Sequence, residues 1–188
     1  MRSLLSSVLL GSVLMFQATA QAAGGFTVTS TAFKDGGTIP MAQVFNSFGC
    51  TGGNHSPEIT WSGAPAGTKS FAVTIYDPDA PTGSGFWHWT VFNIPANVTK
   101  LPADAGEEKG TGLPAGAVQG RTDFGFSHFG GPCPPVGDAP HHYHVTVYAL
   151  KTDKLDLDAN ASGALVGFYI HMNTLGKATL TGMFGRSK

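Results

Sequence analysis

The sequence predicts an all-β fold, a sandwich of two antiparallel sheets with a C-terminal helix. Three observations carry this expectation. Short apolar-alternating runs recur along the chain, separated by Gly, Pro and Asn turn signals. Glycine is abundant, at 26 residues, and only 12% of residues are charged, which suits a loop-rich β protein better than a helical one. Helical spacing emerges only near the end, where Leu165, Phe168, Met172 and Leu175 fall on one face behind a cap at Asn160 or Ser162. That face is expected to pack on the sandwich edge.

The chain opens MRSLLSSVLLGSVLMFQATAQA. Arg2 supplies a short positive region, Leu4 to Phe16 an apolar core, and Ala18-Thr19-Ala20 and Ala20-Gln21-Ala22 both fit a small-x-small cleavage pattern. Residues 1–22 are therefore expected to be a secretory signal peptide cleaved near Ala20–Ala22, leaving one domain over 23–188 in the periplasm or outside the cell. The apolar run is too short for a membrane span, and no later stretch reaches that length.

Within 23–188, strands are expected at GFTVTSTAF, EITWSG, KSFAVTIYD, HWTVFNI and YHVTVYAL, the last being the final strand of the reading. Ala103 to Gly131 is Gly-rich and weakly periodic, which indicates a long functional loop. Without Arg2 the chain holds ten basic against twelve acidic residues and no Lys/Arg run, which makes nucleic acid and anionic surfaces poor partners. Assembly stays open between a monomer and a homodimer. Cys50 and Cys133, an even count in an exported chain with no adjacent Lys or Arg, favour a disulfide over two free thiols.

Strand alternation picks out the chemistry. Phe71, Val73 and Ile75 share an apolar face that Asp77 continues. Val145, Val147 and Ala149 share another, continued upstream by Tyr143 and His141, while His142 and His144 face the other way. A carboxylate at the end of a core row needs a partner, and His88 and His141 are the candidates. The alternative is that Asp77 caps the following DPDAP turn. Trp87 and Trp89 are expected on one strand face. GGPCPP, residues 130–135, offers backbone amides stiffened by proline, with one X-Pro bond a candidate for cis, although its residues alone favour an ordinary rigid crossover loop. A zinc site through His142 and His144 with His128 or His55 lacks any supporting motif, so no metal and no cofactor is expected. No nucleophile motif accompanies Asp77 and the histidines, so the expected protein is not an enzyme, with an Asp/His hydrolase as the residual alternative.

The blocks YDPDAPTGSGFWHWTVFNIP and GGPCPPVGDAPHHYHVTVYAL, at long separation, resemble the two signatures of the phosphatidylethanolamine-binding protein family, also called Raf kinase inhibitor proteins. TSTAFKDGGTIP, GAVQGRTDFG and SGALVGFYIHMN resemble its exported bacterial subgroup. The resemblance implies a β-sandwich with a small anion pocket that accepts phosphate-like groups, including a phospholipid headgroup. It carries over Asp77, Asp79 and Pro81 from the first block and His88 after it. From the second block it carries over Gly131, Pro132, His141 and Tyr143. His142 stands where the family commonly has arginine, and Phe184 is the candidate for an aromatic bordering the pocket. The implied function is non-catalytic binding of a phosphate or phospholipid headgroup. The alternative is regulation of a protein target, such as inhibition of a protease or kinase, through the same pocket. An apolar rim would favour that alternative.

Overall fold

The computed structural model describes residues 25–188. The leader expected over 1–22 lies outside these described residues, apart from which the expected domain is covered from Gly25 onward. In chain order the elements are β1 (Thr27–Thr29), β2 (Gly37–Thr38), β3 (Ile59–Ser62), β4 (Ser70–Asp77), β5 (Phe86–Pro95), β6 (Lys100–Leu101), β7 (Val118–Gln119), β8 (His141–Leu150), α1 (Gly163–Asn173) and β9 (Thr174–Phe184). The fold is mainly β, as expected, with its one described helix in the C-terminal part.

Two sheets form. The small one has the order β1-β3-β6, the large one β2-β9-β8-β4-β5-β7. All pairings are antiparallel except β2 with β9, which run parallel, so the large sheet is mixed rather than purely antiparallel. Between the sheets lies the main core. Ile59, Trp61 and Leu101 from the small sheet meet Phe71, Val73, Ile75, Trp89, Val91, Tyr143, Val145 and Val147 from the large one. These are the period-2 rows read from β4 and β8, and burying each such side chain contributes roughly 1.5–3 kcal/mol.

β9 is the long strand the sequence did not announce, alongside the two-residue strands β2, β6 and β7, which fall in stretches read as turn or loop. It pairs with β8 from His141↔Phe184 to Leu150↔Thr174, yet its fully buried residues are only Ala178, Leu180 and Gly182, with the half-buried Phe184 closing the same row. A small-residue row carries little hydrophobic periodicity. Gly182 has to be small, because a Cβ there would lie 2.6 Å from Ile39 Cγ1.

α1 covers the other face of the large sheet. Ser162 caps it, accepting from Leu165 N. The face that packs is Gly163, Val166 and Ile170 against Ala72, Phe92, Leu150 and Leu155. The expected stripe of Leu165, Phe168, Met172 and Leu175 is exposed instead, which corrects the sequence reading. The physical reason is Trp87. Its indole lies against Gly163 and Gly167, so the glycines set which side of the helix approaches the sheet.

Candidate functional site

An irregularity in β5 builds the site. Ile75 pairs with Trp89 and Tyr76 with Trp87, which leaves His88 as the extra residue of a β-bulge. The bulge turns His88 and Trp89 both inward. Trp87 goes to the outer face beside Tyr76, their ring centroids 4.6 Å apart. The two tryptophans therefore lie on opposite faces, contrary to the plain alternation expected for this strand.

His88 joins the ends of the β4 and β8 rows around a cavity of about 140 Å³. Its buried polar lining is Asp77, His88, His141 and Tyr143, each 4% exposed or less, and the exposed Thr82 adds a hydroxyl. Of the expected residues Pro81 also lines it, while Asp79, Gly131 and Pro132 do not. Asp79 instead pins the DPDAP turn to β8, its Oδ2 accepting from His142 N and Nδ1 at 2.7 Å each. The His142 amide holds its carboxyl below the usual range. Gly131 N donates to Asn54 Oδ1 at 2.8 Å, and Pro132 carbonyl accepts from Phe45 N. Gly130 N donates to the His88 carbonyl. These loop amides are committed within the protein rather than offered to a ligand. The glycines serve close packing, since a Cβ would lie 2.3 Å from the Phe124 ring at Gly130 and 2.0 Å from Gln43 O at Gly131. No cis peptide bond occurs among the described residues.

Asp77 combines the two roles between which its sequence context left the choice open. Oδ1 accepts from Asp79 N at 2.9 Å and Ala80 N at 3.1 Å, capping the turn. Oδ2 accepts from His141 Nδ1 at 2.8 Å, so His141 rather than His88 is the buried partner. On the far side of that ring, Nε2 lies 3.5 Å from Asp138 Oδ2.

His88 Nδ1 donates to the Gly130 carbonyl at 2.8 Å. That bond fixes the tautomer and leaves Nε2 as the unprotonated nitrogen of the neutral ring. Burial lowers the His88 pKa, opposed by the Gly130 carbonyl and the Asp77 charge. Tyr143 Oη is buried with no hydrogen-bond partner. Burial and the neighbouring Asp77 charge raise its pKa, so the phenol remains a proton donor. Among the described residues no lysine or arginine lines the cavity.

The mouth is apolar. Phe48, Phe86 and Phe124 line it with Pro134, Pro135 and Cys133. The sequence reading missed all three phenylalanines. Phe86 was legible in principle, two residues before His88 on the same row, but Phe48 and Phe124 sit in loops without periodicity. Phe184, expected at the border, instead packs against the buried clusters. The walls are fastened twice. Cys50 and Cys133 form the expected disulfide. Arg186 bridges the same loops, with Nε donating to Pro134 O at 2.6 Å and Nη1 to Gly49 O at 3.3 Å.

The chain as a whole is similar to known proteins. The sequence profile of the phosphatidylethanolamine-binding protein family matches residues 29–185. YbcL of Escherichia coli is 56% identical over 180 residues, covering 96% of this chain and 98% of that one. YbhB of the same organism is 48% identical over 155 residues, covering 82% of this chain and 97% of its own. The crystal structure of Escherichia coli YbcL, described as a new member of the mammalian PEBP family, superposes with a TM-score of 0.84 at 61% identity. That superposition covers 85% of this chain and 98% of YbcL. With its fold and both signature blocks in agreement, the chain belongs to the phosphatidylethanolamine-binding protein family.

Proposed function

We propose that this chain is an exported, non-catalytic binding protein whose cavity takes a small phosphate-like anion, free or as a phospholipid headgroup. The observation that carries the reading is Tyr143. A phenol 1% exposed, lining a cavity with its hydroxyl unpartnered, is costly until something accepts its proton. An oxyanion is such an acceptor. His88 Nε2 completes the site in either of two ways, accepting from a protonated phosphate oxygen or gaining the proton and donating to a charged one. Export is supported by the leader pattern over residues 1–22.

The non-catalytic part rests on what the lining atoms already do. Thr82 Oγ1 donates to the Gly85 carbonyl, Cys133 sulfur is in the disulfide, and the Tyr143 phenol is held protonated. The test is a titration of the mature protein with phosphate and with phosphoethanolamine at about pH 6 and about pH 8.5. Binding that weakens at the higher pH and disappears in His88→Ala supports the reading. Equal affinity at both pH values overturns it, and turnover of phosphoesters would overturn the non-catalytic part.

A protein-directed role is the second reading, in which the same cavity receives an acidic peptide end. The apolar rim of Phe48, Phe86 and Phe124 favours it. Competition between phosphoethanolamine and a peptide ending in an acidic residue distinguishes the two.

A further inference from the structure

α1 covers only part of the outer face of the large sheet. Beyond it, β5, β4, β8 and β9 leave an open depression of about 320 Å³. A row of hydroxyls crosses it. Thr74, Thr146 and Thr179 stand in register on three neighbouring strands, on the face opposite to Val73, Ile75 and Asp77. Thr74 and Thr146 are buried at its base, and Thr179 is exposed at its edge. Thr146 Oγ1 lies 3.0 Å from Thr179 Oγ1. One hydrogen bond between two hydroxyls uses one of their two protons, so the pair keeps a donor and several lone pairs for a visitor.

Aromatic rings flank this row on both sides. Tyr76 pairs with Trp87 and with His144 at one end, and Tyr148 lies four residues further along β8, a span of about 13 Å. Two of the rings are fixed in advance. Trp87 is backed by Gly163 and Gly167 of α1, and Tyr76 Oη donates to the Ser84 carbonyl at 2.7 Å. The charge here has one sign. Lys177 stands opposite Tyr148 on β9, exposed, and forms no ion pair with a carboxylate side chain among the described residues. Among those residues, no Asp or Glu lines the depression.

We infer that this depression is a second binding site, separate from the Asp77–His88 cavity, and that its ligand is a saccharide unit bearing a carboxylate. A pyranose ring has both surfaces that the lining matches. Its C–H patches rest on the electron-rich faces of aromatic rings, and its hydroxyls each donate and accept, as the threonine hydroxyls do. Lys177 supplies the counter-charge for the carboxylate. An apolar ligand would leave the threonine row without partners, and a small inorganic anion would make no use of the rings. A sheet face that meets only water turns polar side chains outward. Three half-buried rings, Tyr76, Trp87 and Tyr148, around a row of hydroxyls depart from that pattern.

The test is a titration of the mature protein with galacturonic acid and with galactose, which differ only in a carboxylate replacing a hydroxymethyl group. Binding is read by heteronuclear NMR from the Trp87 indole N–H and the Thr179 amide. The expected result is that both sugars shift these signals and the acid binds about tenfold tighter. Lys177→Gln, at an exposed position, removes that preference while galactose binding persists. Thr179→Val, also exposed, weakens both sugars severalfold. Neither residue lines the Asp77–His88 cavity, so phosphoethanolamine affinity is unchanged in both variants, and the two sites stand or fall separately. Wild type whose Trp87 and Thr179 signals ignore both sugars overturns the inference. Acetate that shifts the same signals as strongly as galacturonic acid overturns the assignment of a saccharide. A Lys177→Gln variant that still prefers the acid overturns the assignment of the carboxylate.

Discussion

His141 Nδ1 lies 2.8 Å from Asp77 Oδ2, and the two residues sit at the inner ends of neighbouring antiparallel strands. Each is 4% exposed or less. A carboxylate so placed is tolerated because both its oxygens are engaged: two backbone amides on one and an imidazole on the other. The pair fixes the β4–β8 end of the cavity before any ligand arrives, and so presents His141 and Tyr143 in one orientation.

Asp77→Ala removes the turn cap and the ion pair together and leaves His141 buried without its partner. Breaking one side of a buried pair typically costs about 3–5 kcal/mol. The expected outcome is a fall of that order in unfolding free energy, read from the denaturant midpoint. Asp77→Asn, which keeps an oxygen for the Asp79 and Ala80 amides, falls less. Equal losses in the two variants would show that the charge pair with His141, and not the cap, accounts for the stability.

His88 makes folding stability depend on pH. Its folded pKa is lowered from 6.5 by burial, opposed by the Gly130 carbonyl and the Asp77 charge. Below that unfolded value the unfolded chain takes up a proton that the folded chain refuses. Stability from this residue is therefore present above 6.5 and is lost as pH falls below it, by at most about 1.4 kcal/mol per pH unit. His88→Gln flattens the curve of unfolding free energy against pH in that window. Anion binding runs the other way, because a bound oxyanion favours the protonated ring, so affinity declines as pH rises.

Gly163 and Gly167 separate two effects of the same substitution on α1. A Cβ at Gly163 would lie 2.3 Å from Trp87 Cγ, a position from which a packed indole cannot retreat cheaply. Gly163→Ala is expected to cost about 1–3 kcal/mol. At Gly167 the nearest atom is Trp87 Cη2 at 3.4 Å, an ordinary contact, and the helix gains propensity. Gly167→Ala is expected to stabilise by about 0.5–1 kcal/mol. Thermal unfolding of the two single variants gives opposite shifts if α1 seats on Trp87 as described.

What the sequence revealed and what it hid divide along physical lines. Asp77, His141 and Tyr143 were legible because β4 and β8 alternate regularly, so a polar residue at the end of a core row announces itself. His88 was named as a candidate partner for Asp77 and again by its motif. Its inward direction depends on a bulge, and a bulge has no signature in the hydrophobic pattern of Phe86 to Ile94. β9 stayed hidden because its inward row runs through Gly176, Ala178, Leu180 and Gly182 and reaches a large side chain only at Phe184. The stripe on α1 was misread because helical spacing marks an apolar face without saying which neighbour claims it, and Trp87 against two glycines claimed the other side. The Gly130–Gly131 pair looked like a ligand-facing loop, since the pattern cannot tell a glycine that admits a ligand from one that admits Phe124 or the Gln43 carbonyl.

The disulfide joins stability to binding, and both consequences are measurable. Cys50 and Cys133 are 83 residues apart, and closing a loop of that length contributes about 4–5 kcal/mol in the chain-entropy model. Replacing both with serine is expected to lower unfolding free energy by up to that amount. The same bond ties the Phe48 loop to the Cys133–Pro135 wall, so its loss frees two sides of the cavity mouth. Arg186 still bridges Gly49 and Pro134, which predicts a loosened site rather than a collapsed one. Phosphoethanolamine affinity is expected to fall severalfold in the serine variant under conditions where it remains folded. Linkage then requires the reciprocal effect: saturating phosphoethanolamine shifts the equilibrium with a dithiol toward the disulfide by a similar factor. Unchanged affinity in the folded serine variant would mean that Arg186 and the prolines alone hold the mouth, and the disulfide serves stability only.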